Sequence, residues 1–413
     1  AMPQCSAVLA GNSNMNYGVG APNAKHLEWD PRARQRRARP QRERREGGGA
    51  VRRGTRRGMD MKLAATYLGT VVGAGFASGQ EHLHFFAQFS PGGDLGVMLA
   101  GFLFVVFGVL LADLASRHAT SSPEDLLGLV GGEALAPVID VLLTVFMFCS
   151  VCIMLAGSGA LFREHAGLAS NLGTGLTAAV TLIASMKGVA GLLSLNMLMA
   201  PVLLGAPVVV ATLSLVWAAR GLLPPPPGSA PDMAIENTLL PAWPVASVLY
   251  VSYNLLLVVA AFASMGEEFD DVTTARRGAA LGGAALLVFM IAIHVTLELH
   301  GGEMWRVEVP MLLAAARFGT ALRVTYFLAL WIAMLTTAVA GCFTLSRRLE
   351  GWVRIPQHTL AAPVTLAAAL LARVGFASLV SRVYPVFGYL GLPLVLGLAV
   401  ASIRGRLTIM IIK

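Results

Sequence analysis

Charge is what this sequence has least of. Asp, Glu, Lys and Arg make up 13% of its 413 residues, about half the roughly 25% of a soluble domain. With 56% hydrophobic residues and a mean hydropathy of +0.68, the chain reads as an all-α polytopic membrane protein. Cysteine is scarce too: Cys5, Cys149, Cys152 and Cys342 are too few and too scattered for a disulfide framework. Cys149 and Cys152 lie in an apolar run, where small buried side chains are expected before redox chemistry or a metal. No P-loop, nucleophile set or metal-hydrolase motif is visible, which leaves an enzyme as the least favoured class. Nothing calls for a cofactor beyond a coupling ion.

The formal charge of +8 is concentrated at one end: residues 1–61 hold 13 of the 31 Lys and Arg, including the run from Arg32 to Arg45. A basic tail can mark a nucleic-acid binder. This one has no aromatic interleaving and no apolar core, so residues 1–61 are expected to be disordered and no nucleic acid is expected as partner. Nor does a signal peptide fit, because no apolar run follows the charges before Leu63. A start at Met59 or Met61, with the tail as upstream sequence, suits the chain at least as well as a functional tail.

Ten apolar spans are long enough for a hydrocarbon core of about 30 Å. They cover 62–89, 94–116, 137–161, 170–186, 189–219, 242–266, 279–299, 320–345, 357–374 and 377–403. The Pro224–Pro227 run marks the longest loop, 220–241, and divides the chain into halves 62–219 and 242–403, with a short tail at 404–413. Five spans per half is an odd number, so a repeat would insert with inverted topology. Lys and Arg flanking the spans number 11 on one side and 7 on the other without the tail. That bias predicts a plasma-membrane protein with both termini cytoplasmic.

The first span carries Gly69, Gly73, Gly75 and Gly79, followed by Gln80 and Glu81. Glycine costs about 1 kcal/mol relative to alanine in a helix interior, and four within eleven residues predict a helix that unwinds part-way across. Unwound backbone at membrane depth lines a cavity or is buried in protein, and in transporters it marks the binding site. Small-residue packing between helices is the competing explanation, and the polar residues directly after the glycines put the break ahead of it. The sixth span is also expected to be interrupted, at Tyr250 and Ser252–Asn254, although no glycine precedes Gly266.

GTVVGAGFASGQE (69–81) with the following HFF resembles the bacterial membrane proteins of the YkvI type. AGSGALF (156–162), LYVSYNLLL (249–257), LTTAVAG (335–341) and YPVFGYLGLP (384–393) do so too. That family is similar to the amino acid–polyamine–cation transporters of LeuT-type fold. The resemblance implies a five-plus-five inverted repeat with broken helices one and six and a substrate site between them. Val72, Gly73, Ala74, Gly75 and Phe76 would face Ser252, Tyr253 and Asn254 there. Interhelical hydrogen bonding explains Tyr253 and Asn254 equally well. Thr336 and Thr337 in the eighth span resemble a sodium site of many relatives, with back-bonding to their own helix as the competing account. A salt bridge between Glu81 and Arg382 would match the outer gate of such transporters with its signs reversed.

Two classes stay open. One is a symporter that couples a small zwitterion or amine, such as an amino acid, to Na+ or H+. The other is a membrane sensor or structural component that keeps the transporter fold. Both place the chain in a lipid bilayer, and the first adds a small-molecule solute.

Overall fold

The computed structural model describes residues 52–120, 123–131, 135–187, 190–223, 239–269 and 271–412. The tail over 1–51 and the Pro224–Pro227 run lie outside them. Among the described residues the chain is helical, without a strand. The helices are α1 (Arg52–Val71), α2 (Ala74–Ser78), α3 (Gln80–Phe85), α4 (Gly92–His118) and α5 (Pro123–Gly131). Next come α6 (Leu135–Ala166), α7 (Ser170–Lys187), α8 (Ala190–Ala219), α9 (Trp243–Met265) and α10 (Val272–His300). The chain ends with α11 (Pro310–Ala316), α12 (Thr320–Val353), α13 (Gln357–Leu371) and α14 (Phe376–Ile412).

Among the described residues each of the ten apolar segments is mainly helical. Among the described residues seven stretches are long and apolar enough to cross a membrane, six within α4, α6, α8, α9, α12 and α14 and one over Val272–Arg306 that begins with α10. Both expected tails are corrected in part. Arginine is a good helix former, and α1 starts at Arg52 rather than at Lys62. The apolar Leu407–Ile412 carries α14 through most of the tail expected at 404–413.

Ion pairs and hydrogen bonds sort the helix ends into two groups. At the near end, where α1 begins, Lys62 pairs with Glu268, Arg276 with Asp113 and Arg348 with Asp140. At the far end His294 meets Asp94, and Glu164 of α6 accepts from the backbone N–H of Glu308 and Val309.

Close backbone approach holds the bundle together, since lipid offers apolar side chains nothing to flee. On α10, a Cβ at Gly282 would come within 2.9 Å of Tyr67, and one at Gly283 within 2.8 Å of Val105. Thus α10 beds directly against α1 and α4. Tyr67 fills the junction, and its hydroxyl donates to the Phe104 carbonyl at 2.8 Å. Between α9 and α14, Gly388 and Gly391 leave room for Leu249 and Ser252.

The first apolar span is interrupted as expected. Val72 and Gly73 fall outside helix, and Gly73, in extended backbone (φ −98°, ψ −173°), opens α2 without a side-chain cap. A second break follows at Gly79 (φ +85°), a left-handed conformation that favours glycine. The expected break in the sixth span is absent. Helix α9 runs unbroken through Tyr250–Asn254. Its polar groups find partners without unwinding: Ser252 Oγ donates to the Gly388 carbonyl at 2.8 Å, and Asn254 Nδ2 to its own helix at Tyr250, 2.9 Å away.

Candidate functional site

The double break turns α3 back over α2. Glu81, in the first turn of α3, is 5% exposed, and its carboxyl lies directly over Gly75. A methyl group at Gly75 would strike Glu81 Oε1 and stand 3.4 Å from the Tyr384 hydroxyl. Tyr253 of α9 donates its hydroxyl to Glu81 Oε2 at 2.5 Å. The Tyr253 and Tyr384 rings stack with centroids 4.8 Å apart and an interplanar angle of 10°. Phe146 and Phe85 pack against Tyr253 at 6.5 and 5.9 Å. Elements far apart in sequence thus converge on one carboxyl group. Among the described residues no Lys, Arg or His pairs with it. An anion so enclosed is costly without a proton or a cation.

Backbone freed by the breaks is satisfied from nearby. Ser78 Oγ donates to the Gly75 carbonyl at 2.6 Å, and the buried Tyr326 hydroxyl of α12 donates to the Ala77 carbonyl at 2.5 Å. Gly73 is different: a Cβ there would meet nothing within 4 Å.

The structure brings together some of the sequence-predicted residues and separates others. Gly75 and Tyr253 meet at Glu81. Val72 and Ala74 are buried beside the break, while Phe76 turns away and packs on His82 with centroids 4.9 Å apart. Ser252 is a packing residue against α14 and Asn254 back-bonds within α9, so neither faces the carboxyl. The two threonines sit in different surroundings. Successive helix residues diverge by about 100°; Thr336 back-bonds to Ala333 at 3.1 Å, and Thr337 is exposed. Thr337 does share a stripe with Tyr326, eleven residues earlier and therefore three turns away on the face of α12 toward α2. The Glu81–Arg382 gate is not formed. Glu81 turns inward to Tyr253, and Arg382 is exposed on α14. Tyr384 and Phe146 were missed, although Tyr384 opens one of the motifs that carry the family resemblance.

No family model matches the chain. It is 25% identical over 342 residues to the uncharacterized membrane protein YkvI of Bacillus subtilis (strain 168), across 81% of this chain and 94% of the relative. It is also 28% identical over 348 residues to YyaD of the same organism, across 84% and 98%. The chain is a homologue of YkvI and YyaD. Among solved structures, the Eremococcus coleocola manganese transporter bound to an aromatic bis-isothiourea compound superposes with a TM-score of 0.52. It is 15% identical, with 84% of this chain and 80% of that one covered. MhsT in complex with L-phenylalanine gives 0.52 at 15% identity, covering 82% and 86%. The chain therefore has a transporter fold of the LeuT type, in a multi-pass membrane protein.

Proposed function

We propose that this protein is a cation-coupled secondary transporter, a symporter of a small zwitterionic or amine solute such as an amino acid. In this reading ten crossings form a five-plus-five inverted repeat, with the near end and both termini cytoplasmic and the far end extracellular. The fold shared with a manganese transporter and with phenylalanine-bound MhsT supports the class of activity.

The observation that carries the solute class is the Glu81 carboxyl, pressed on Gly75 at the break and walled by Tyr253 and Tyr384. A carboxylate with no basic side chain paired to it suits an ammonium group, and stacked tyrosines add a cation–π face. A transition-metal cargo is less well served, because among the described residues no group of three or more His, Cys, Asp or Glu is placed to hold a metal ion.

Uptake of radiolabelled amino acids and putrescine into proteoliposomes tests the reading. Glu81→Gln keeps the shape and removes the charge, and should lower uptake by roughly a hundredfold, as expected when a buried charge partner is lost. Equal uptake by the parent and the variant would refute the assignment of Glu81. No uptake of any solute would favour a sensor that keeps the fold.

A further inference from the structure

Exposed faces on α4 and α12 carry large apolar side chains, as a surface against lipid should. Leu95, Met98 and Phe102 are exposed on α4, and Val324 and Leu328 on α12. Helix α1 departs from this pattern. On one side Leu63, Tyr67 and Val71 are buried. The other side, from the near end toward the break, is open over Lys62, Ala65, Thr66, Gly69 and Thr70, with Leu68 at its margin. A Cβ at Gly69 would meet nothing within 4 Å.

This open side leads to the break. Gly73 is half-buried between the buried Val72 and Ala74, and its backbone is not helical. A Cβ there would also meet nothing within 4 Å. Unwound backbone does not face lipid, where nothing satisfies its polar groups, so the space beside Gly73 lies inside the protein. Helix α12 supplies a second wall. Thr337 is exposed although the residues around it, 333–336 and 338–339, are buried. It stands nine residues from Leu328, which puts it half a turn away from the lipid-facing side. Its own side is that of Tyr326, whose hydroxyl reaches the Ala77 carbonyl of α2. Eleven residues, about 16 Å, bring Thr337 closer to the near end than Tyr326. The same distance back from Ala77 along α1 reaches Thr66–Gly69. From the far end the break is covered, because a Cβ at Gly79 would stand 2.8 Å from Met311 and 3.2 Å from Pro310 of α11.

We propose that the open side of α1 and Thr337 of α12 enclose a water-filled passage from the near face to Gly73, by which solute leaves the Glu81 site. For its purpose the passage rests on the transport reading; its existence does not. Gly73 is two residues from Gly75, over which the Glu81 carboxyl lies, so the passage ends beside the site. Its residue types suit transit. Glycine leaves width, and a threonine hydroxyl can bond to water without holding a charged solute. At the near end Lys62, paired with Glu268, stands at the mouth.

The test uses the full-length protein in nanodiscs, which leave both faces open, with single cysteines in a background without the native ones. Gly69→Cys enters open space, and Thr337→Cys keeps the size of the side chain, so both should fold. Leu328→Cys and Phe102→Cys are the lipid-facing controls. A charged methanethiosulfonate attacks the thiolate, which water supports and an apolar setting suppresses. Each unit by which that setting raises a thiol's pKa removes thiolate about tenfold, so both passage thiols should react roughly tenfold or more faster than the controls. In proteoliposomes, modified Gly69→Cys should lose the uptake of mixed radiolabelled amino acids and putrescine that its unmodified form retains. Reaction at control speed at either Gly69→Cys or Thr337→Cys overturns the passage whatever uptake does. Fast reaction at both, with uptake unchanged by modification, overturns it as the solute's route. Fast reaction at both, with no uptake before modification, supports the passage and counts against transport.

Discussion

A methyl group on Gly75 would meet the carboxyl oxygen of Glu81 and approach the Tyr384 hydroxyl, so Gly75→Ala probes the site without touching a charge. The carboxyl is the end of a flexible side chain and can move aside, which limits the stability cost to about 1–3 kcal/mol. The displaced carboxyl loses its position over the break. Solute uptake should therefore fall by roughly tenfold or more, the scale of a small misplacement at a reacting or binding centre, while the protein still purifies as a folded species. Unchanged uptake would mean that the carboxyl need not lie where the structure puts it. Tyr253→Phe asks the same question from α9. It strips a donor from a buried acceptor, at about 1–3 kcal/mol, and a melting curve reads the loss. Ser252→Ala gives the contrast, since it removes only a hydrogen bond to α14 and should leave solute affinity unchanged. Gly75, Glu81 and Tyr253 were legible in the sequence because each is conspicuous where it stands, as polar or unusually small residues inside apolar spans. What could not be read was direction. By its place in the sequence Glu81 is set to face Arg382 across an outer opening, and only the left-handed turn at Gly79 shows that α3 folds the carboxyl inward.

Elements behave differently, because a helix answers to its neighbours. Polar residues in the first and sixth spans look alike in sequence, yet one span breaks and the other does not. The first has glycines that tolerate unwinding and a tyrosine on α12 that satisfies a freed carbonyl. The sixth has glycines on its partner helix, so α14 comes close enough for Gly388 to accept from Ser252. Such long-range satisfaction has no local signature. The same reasoning applies at the far end, where Glu164 caps the segment leading into α11 by accepting from Glu308 at 2.8 Å and from Val309 at 3.1 Å. Glu308 in turn accepts from the Phe376 N–H at the start of α14, 3.1 Å away. Glu164→Ala should destabilise the protein by about 1–3 kcal/mol for the unpaired donors it leaves, and proteolysis in the 301–310 stretch should rise with it. A melting temperature and a digestion pattern equal to the parent's would show that water replaces the carboxylate.

For the whole molecule the open quantity is how many helices cross the membrane. Among the described residues seven satisfy length and hydropathy outright; α7 and α13 are the ones in question, apart from the interrupted first span. At 1.5 Å per residue, the 18 residues of α7 reach about 27 Å. Helix α13 with the turn that follows it, 357–374, reaches a similar length. Both come close to the roughly 30 Å of a hydrocarbon core, and the odd count of five per half depends on them. Single cysteines placed in a background without the native ones separate the possibilities. Leu222 and Trp352 are exposed at opposite ends of the bundle. Lys187 closes α7 at the near end, and Arg373 follows α13 at the far end. Ten crossings with cytoplasmic termini require that Leu222→Cys and Arg373→Cys react with an impermeant maleimide in intact cells. Lys187→Cys and Trp352→Cys should then react only after permeabilisation. The mirror pattern would invert the molecule and assign the basic excess to the wrong side, a known hazard when the bias is only 11 to 7. Protection of Arg373→Cys alongside labelling of Leu222→Cys would show that α13 does not cross, and with it the inverted five-plus-five architecture would fall.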